Sequence, residues 1–151
     1  MWTDLNKGNP LVINSIQSSM NDYIKIMIGD SKIGSGVRYI TPMDIMHTHA
    51  THRDHIAKEV SNTDGKVVVL THHAPLLNLT GGRGNNQGMD YGYGCTDMEG
   101  IIYENDISHW IFGHCHTRSS TEIDGTKFLS NCRGYRGFEE TASFTIKTFD
   151  V

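Results

Sequence analysis

Two short apolar runs, each leading directly into histidines, constrain this chain more than any other feature of its sequence. Lys66-Val67-Val68-Val69-Leu70-Thr71 shows no polar alternation and ends in His72-His73-Ala74-Pro75. Continuous β-branched runs of this length are the pattern of a strand covered on both faces, as in sheets packed between helices. Ser108-His109-Trp110-Ile111-Phe112 reads the same way and ends in Gly113-His114-Cys115-His116. Open α/β sheets gather their ligand groups at the C-terminal ends of strands. The two runs therefore predict neighbouring strands whose tips bring imidazoles together. Gly113 is expected to allow the tight backbone of the second tip, with Cys115 pointing away as packing and the two flanking rings on one side.

Other segments supply the surroundings. Thr41-Pro42 is an N-cap followed by proline at the first helical position, and predicts a helix over 42–60. Ile45, Met46, Ile56, Ala57 and Val60 form its apolar stripe, with His49 and His52 filling the gap and His47 and His55 solvated. Asn62-Thr63-Asp64-Gly65 closes it. Residues 78–94 read as a long glycine-rich loop, and Cys95-Thr96-Asp97 as the cap of a short helix over 98–104. In the tail, 120–123, the turn Asp124-Gly125, 126–130 and 142–149 suggest an antiparallel meander. His109 reads as a strand-edge residue. Val37–Ile40 is strand-like, while 11–16 and 23–28 are either short strands or helical pieces. The sum is an α/β chain, sandwich-like and flanked by helices, forming a single domain over 1–151.

Composition removes several function classes. Thirteen Lys+Arg against seventeen Asp+Glu leave a net charge of −4, which offers no basic field for a nucleic-acid backbone. No run approaches the roughly 20 apolar residues of a membrane span, and no apolar leader opens the chain, so a cytoplasmic protein without membrane contact is expected. Cys95, Cys115 and Cys132 form no CxxC pair, which argues for a reducing compartment. Nine histidines instead point to metal chemistry: imidazole suits Zn²⁺, Mn²⁺ or Fe, provided that each ring is neutral.

The segments 67–76 (VVVLTHHAPL), 110–119 (WIFGHCHTRS) and 129–135 (LSNCRGY), together with Trp2-Thr3-Asp4 and the Thr41-Pro42 helix, resemble the calcineurin-like metallophosphoesterase superfamily, chiefly its small bacterial and phage-type members. The resemblance is specific over 66–135. It implies a β-sandwich presenting one or two divalent ions (Mn, Zn or Fe) to a phosphate ester, with water activated for in-line attack. Carried over position by position, His114 and the THHAP histidine resemble ligands of one metal, and His116 resembles a ligand of the other. Aligning on Thr71 selects His72 as that ligand, whereas counting back from Pro75 selects His73. The set implied is His72, His114 and His116 on metal, with His73 and Arg118 beside phosphate. Arg83, Arg133 and Arg136 are read as surface charge, and Asn131 with Gly134-Tyr135 resembles an element near the substrate mouth.

The resemblance is to the C-terminal half only. The sequence contains no Asp-x-His, no Gly-Asp-x-x-Asp and no Gly-Asn-His-Glu. Three histidines shared by two cations fall short of the three protein ligands a catalytic zinc normally keeps, and two dications without a bridging carboxylate repel. Either the chain's own residues substitute, with His47, His49, His52 and His55 as candidates, or one of two readings follows. In one, a metal-dependent phosphoesterase is completed by a partner chain or an oligomer mate. In the other, a non-catalytic module keeps a single-metal or vestigial site and acts through assembly.

Overall fold

The structure is a computed structural model that describes residues 1–29, 36–82, 88–137 and 141–150. It is a mixed α/β architecture with two sheets. The chain enters without regular structure, makes a turn at Leu5–Gly8 in which Leu5, Asn6 and Lys7 all have positive φ, and continues into helix α1 (Pro10–Ser19). Asn9 caps α1 through Leu11 N–H (2.9 Å), with proline at the first position. A one-turn helix α2 (Asp22–Lys25) leads to the short strands β1 (Met27–Ile28) and β2 (Arg38–Tyr39), which pair antiparallel. Of the alternatives left open for 11–28, helix thus holds most of the segment. Gly29-Asp30, Arg83 and the 84–86 stretch fall wholly or partly outside the described residues.

Helix α3 (Pro42–Ser61) begins with a capping box in which Thr41 and Asp44 satisfy each other's backbone groups. Arg38 grips Asp44 with two bonds of 2.7 and 2.8 Å, which holds that carboxyl well below its usual range. The helix serves two apolar clusters. Ile45 packs with Leu5, Val12, Ile16, Met20, Tyr23 and Ile40, whereas Ile56 and Val60 reach the sheet. His49 lies between these contacts and is buried, but His52 is exposed and leaves the predicted stripe. A helical stripe narrows where the partner surface changes from one cluster to another.

The larger sheet has the order β3-β4-β6-β5, with β3 (Val67–Leu70), β4 (Ile107–Phe112), β5 (Arg118–Ile123) and β6 (Thr126–Asn131). β3, β4 and β6 are parallel, and β5 returns antiparallel to β6 through Asp124-Gly125, both at positive φ as a two-residue hairpin requires. Val69, Trp110 and Phe128 stand in register on the core face, where each buried side chain is worth about 1.5–3 kcal/mol. On the opposite face His109 is not an edge residue: it sits on the central strand and stacks on Phe149 at 4.7 Å. The predicted strand at 142–149 does not form. Thr141–Ser143 is a 3-10 turn, and the segment is held by side chains instead. Helix α4 (Glu99–Tyr103) follows Met98 without a side-chain cap, because Asp97 is engaged elsewhere. No helix among the described residues is long and apolar enough to cross a membrane.

Candidate functional site

Because β3 and β4 run parallel and adjacent, their C-terminal ends open at one edge of the sheet. The ladder continues into both loops through Thr71 N–H to Ile111 O (2.9 Å) and Gly113 N–H to His72 O (2.9 Å). The Trp110 indole donates to the Thr71 hydroxyl (3.0 Å), which donates to the His73 carbonyl (2.8 Å), fixing the turn from the core outward. Cys115 N–H reaches Gly113 O at 2.6 Å, and the Cys115 side chain drops into the core. The sequence placed the conformational demand on Gly113. The positive φ values belong instead to His114 (60°) and His116 (51°), at a strain of about 1–2 kcal/mol for each non-glycine residue. Strain of this kind concentrates where a side chain must point in one direction.

Three of the predicted imidazoles come together. Ring centroids of His73 and His114 are 4.0 Å apart, those of His72 and His114 4.9 Å, and those of His72 and His73 5.1 Å. His114 Nδ1 and His72 Nε2 share a hydrogen bond of 3.2 Å. Tyr93 lies against His114 at 5.0 Å, and Trp2 against His73 at 5.0 Å. Neither aromatic was singled out as a site residue by local pattern. Tyr93 arrives because the 93–95 segment pairs with Ala74. His116 packs edge-on against Tyr135 at 4.6 Å. The described donors of Arg118 go to Cys132 O, Ser143 O and Ser143 Oγ, with its guanidinium over Phe144.

The cluster is uncharged at neutral pH. Burial, then the neighbouring His114 and His72, drive the His73 imidazole far below its ordinary range. Burial, then His72 and His116, bring His114 to about 4, and burial also lowers His72. His73 Nδ1 lies 2.7 Å from the Met1 carbonyl, which only accepts, so the proton sits on Nδ1 and the lone pair on Nε2. That Nε2 is buried without a hydrogen-bond partner, and so is Nε2 of His114. Orphaned buried nitrogens on neutral rings, one of them oriented by a carbonyl, are what a metal-ligating histidine presents.

A second histidine site has no such openness. Asp4, His49 and Asp97 bring ligand atoms within 4.8 Å of one another, and among the described residues no such group of three forms at the strand tips, with or without a carboxylate. Yet His49 Nδ1 faces the Trp2 carbonyl (2.9 Å) and its Nε2 faces Asp97 Oδ1 (2.9 Å), so both nitrogens carry protons. Burial opposes that charge, but Asp97 and the Trp2 carbonyl outweigh it and raise the His49 pKa. Asp97 also accepts from Arg53 (2.8 Å), and these partners outweigh its own burial to keep it ionised. Asp4 accepts the Thr96 N–H (2.8 Å), the Thr96 hydroxyl and Lys7 N–H (2.9 Å). The donor set is compatible with a divalent cation in composition, but its hydrogen bonds are already closed upon themselves.

No family model matches the chain. It is 27% identical over 146 residues to the uncharacterized protein L509 of Acanthamoeba polyphaga mimivirus, a match covering 89% of this chain and 48% of that protein. Among solved structures, the crystal structure of phosphopantetheinyl hydrolase (PptH) from Mycobacterium tuberculosis matches with a TM-score of 0.56 at 16% identity, over 89% of this chain and 47% of that one. The likeness is one of fold. The chain spans about half the length of either protein.

Proposed function

We propose that this chain carries the histidine side of a metal-dependent phosphoesterase of the calcineurin-like class. The observation behind this reading is the convergence of His72, His73 and His114 at two adjacent strand tips, with two buried Nε2 atoms left bare. The motif resemblance supports it, as does a fold neighbour named as a phosphopantetheinyl hydrolase. His73 and His114 would hold a divalent ion, the geometry favouring the Pro75-based spacing, because the His72 Nε2 is tied to His114 and its ring is exposed. His116 would serve a second ion. A bound ion of this kind supplies Lewis-acid polarisation of a phosphoryl oxygen and activation of water. His72, at the rim, would contact the phosphate. The same role for Arg118 requires it to leave its bonds to Cys132 and Ser143.

The carboxylates would come from another polypeptide segment, in cis or in trans. β3 supports this: it pairs only with β4 among the described residues, carries no charge or proline to block its free edge, and leaves Leu70 72% exposed. A strand added there ends beside the imidazoles. The absence of a carboxylate grouping with these histidines among the described residues favours a second reading, a non-catalytic metal-binding module.

Metal analysis after exposure to Mn²⁺ or Zn²⁺, combined with turnover of bis(p-nitrophenyl) phosphate, separates them. Metal uptake lost in His114→Ala is expected of both. Turnover by the chain alone, or once a segment supplying the carboxylates is added, marks the enzyme, and uptake that no such segment converts into turnover marks the module. Wild-type protein holding only trace metal refutes both.

A further inference from the structure

Residues 1–4 are stitched to three separate segments of the chain. The Met1 carbonyl takes the proton of His73 Nδ1, the Trp2 carbonyl takes that of His49 Nδ1, and the Asp4 carboxylate holds Thr96. The Trp2 ring meanwhile lies on His73. His49 and His73 thus grip adjacent carbonyls of one stretch. His49 is 2% exposed and its second nitrogen is bound to Asp97, which Arg53 holds in turn. A ring with both nitrogens facing acceptors is locked in orientation and cannot accept.

We infer that His49 is a positioning residue for the strand-tip histidines: through the Trp2 carbonyl it fixes the Met1–Trp2 peptide, so that the Met1 carbonyl holds the His73 proton on Nδ1 and leaves Nε2 bare. The functional consequence rests on the reading of His73 as a metal ligand, whereas the tautomer assignment stands independently of it. The arrangement is two-tiered. Asp97 and Arg53 orient His49, His49 orients the peptide, and the peptide orients His73. Outer-shell partners that set the tautomer of a ligand histidine typically change metal affinity by 10- to 100-fold.

The test is long-range ¹H–¹⁵N correlation of the imidazoles in ¹⁵N-labelled chain. In the wild type at neutral pH, His49 should show two protonated nitrogens and His73 a single Nδ1–H tautomer. A neutral His49, or an Nε2–H tautomer at His73, overturns the inference without any variant. In His49→Gln the carboxamide cannot serve the carbonyl and the carboxylate together, and His73 should pass into a mixture of tautomers. Asp97→Asn, at a less buried position, should give the same change in smaller degree and stands in if His49→Gln fails to fold. His55→Gln, on the exposed face of α3, should leave the His73 signals unchanged. A folded His49→Gln that keeps the pure wild-type tautomer refutes the inference. Zn²⁺ titration adds the functional arm, with affinity falling about 10-fold or more in His49→Gln. Failure of the wild type to bind Zn²⁺ would sink the metal reading alone, since the tautomer result is decided separately.

Discussion

His49 and His73 are buried to nearly the same degree, at 2% and 1% exposure, yet the fold holds them in opposite chemical states. His49 is a cation whose two N–H groups are both spent, enclosed by Asp97 with Arg53 behind it and by the Trp2 carbonyl. His73 is neutral, spends one nitrogen and leaves the other bare, and its ring centroid lies 4.0 Å from that of His114, whose Nε2 is equally bare. Proximity of ligand-type atoms favours the first site, whereas an inventory of unspent donors and acceptors favours the second. The inventory is the better guide, because a buried polar atom without a partner costs about 1–3 kcal/mol and persists only where something else repays it. A closed network such as Asp4–His49–Asp97 needs no such compensation.

The contrast breaks first at His114. Its replacement by glycine should abolish metal uptake while leaving unfolding stability within about 1 kcal/mol of wild type, because relief of a left-handed residue, about 1–2 kcal/mol, offsets lost ring packing of about 0.5–1.5 kcal/mol. Metal analysis and urea unfolding check the two halves. A stability loss of several kcal/mol would show that the open nitrogens are structural after all.

At the closed site the order reverses. Asp97→Ala leaves the buried His49 charge with Arg53 near it and no carboxylate between them, and breaking a buried pair costs about 3–5 kcal/mol. Since Asp97 keeps some solvent contact, the lower end, about 3 kcal/mol, is expected in urea unfolding, with metal content of the strand-tip site reduced but present. If Asp97→Ala is as stable as wild type, His49 is not the cation described.

The pH dependence sharpens the same point. The groups facing His49 are Asp97, Asp4, Arg53 and Cys95. The folded pKa of His49 is raised above 6.5, so its stabilisation is complete below 6.5 and is lost as pH rises through the folded value. That of Asp97 is lowered below 3.8, so its contribution is present above 3.8 and is lost as pH falls. The stability difference between wild type and His49→Gln should therefore be greatest between about pH 4 and 6.5 and shrink above that window, by no more than about 1.4 kcal/mol per pH unit. A difference that grows from pH 6 to pH 9 contradicts the charged state.

How far each site could be read from sequence follows the range of its contacts. β3, β4 and the β5–β6 hairpin were readable because a continuous apolar run and an Asp-Gly turn are local patterns, and the strand-tip histidines came with them. The 42–61 helix was readable from its Thr-Pro start. Residues 5–28 were not, because three consecutive non-glycine residues adopt the left-handed region there, against local preference, under the packing of Leu5. Asp97 looked like a helix cap because its partner His49 lies 48 positions away. At 142–149 alternation suggested a strand, but the segment docks through Phe144, Ser143 and Phe149 side chains. The closed network was thus invisible to local pattern, whereas the open one stood out.

The smallest effect tests where the strain of the His-x-His turn resides. If Gly113 carried it, as the sequence suggests, alanine there would be costly. In the structure Gly113 lacks positive φ, and the nearest atoms a Cβ would meet are the His72 carbonyl at 3.7 Å, Cys132 Sγ at 3.8 Å and His72 Nδ1 at 3.9 Å, all ordinary contacts. Gly113→Ala should therefore change stability by no more than about 0.5 kcal/mol, with the loss of unfolded-chain freedom tending to stabilise. Metal uptake should be unchanged. A loss of more than about 2 kcal/mol in urea unfolding would return the strain to the glycine and remove the argument that His114 and His116 are held against their own preference.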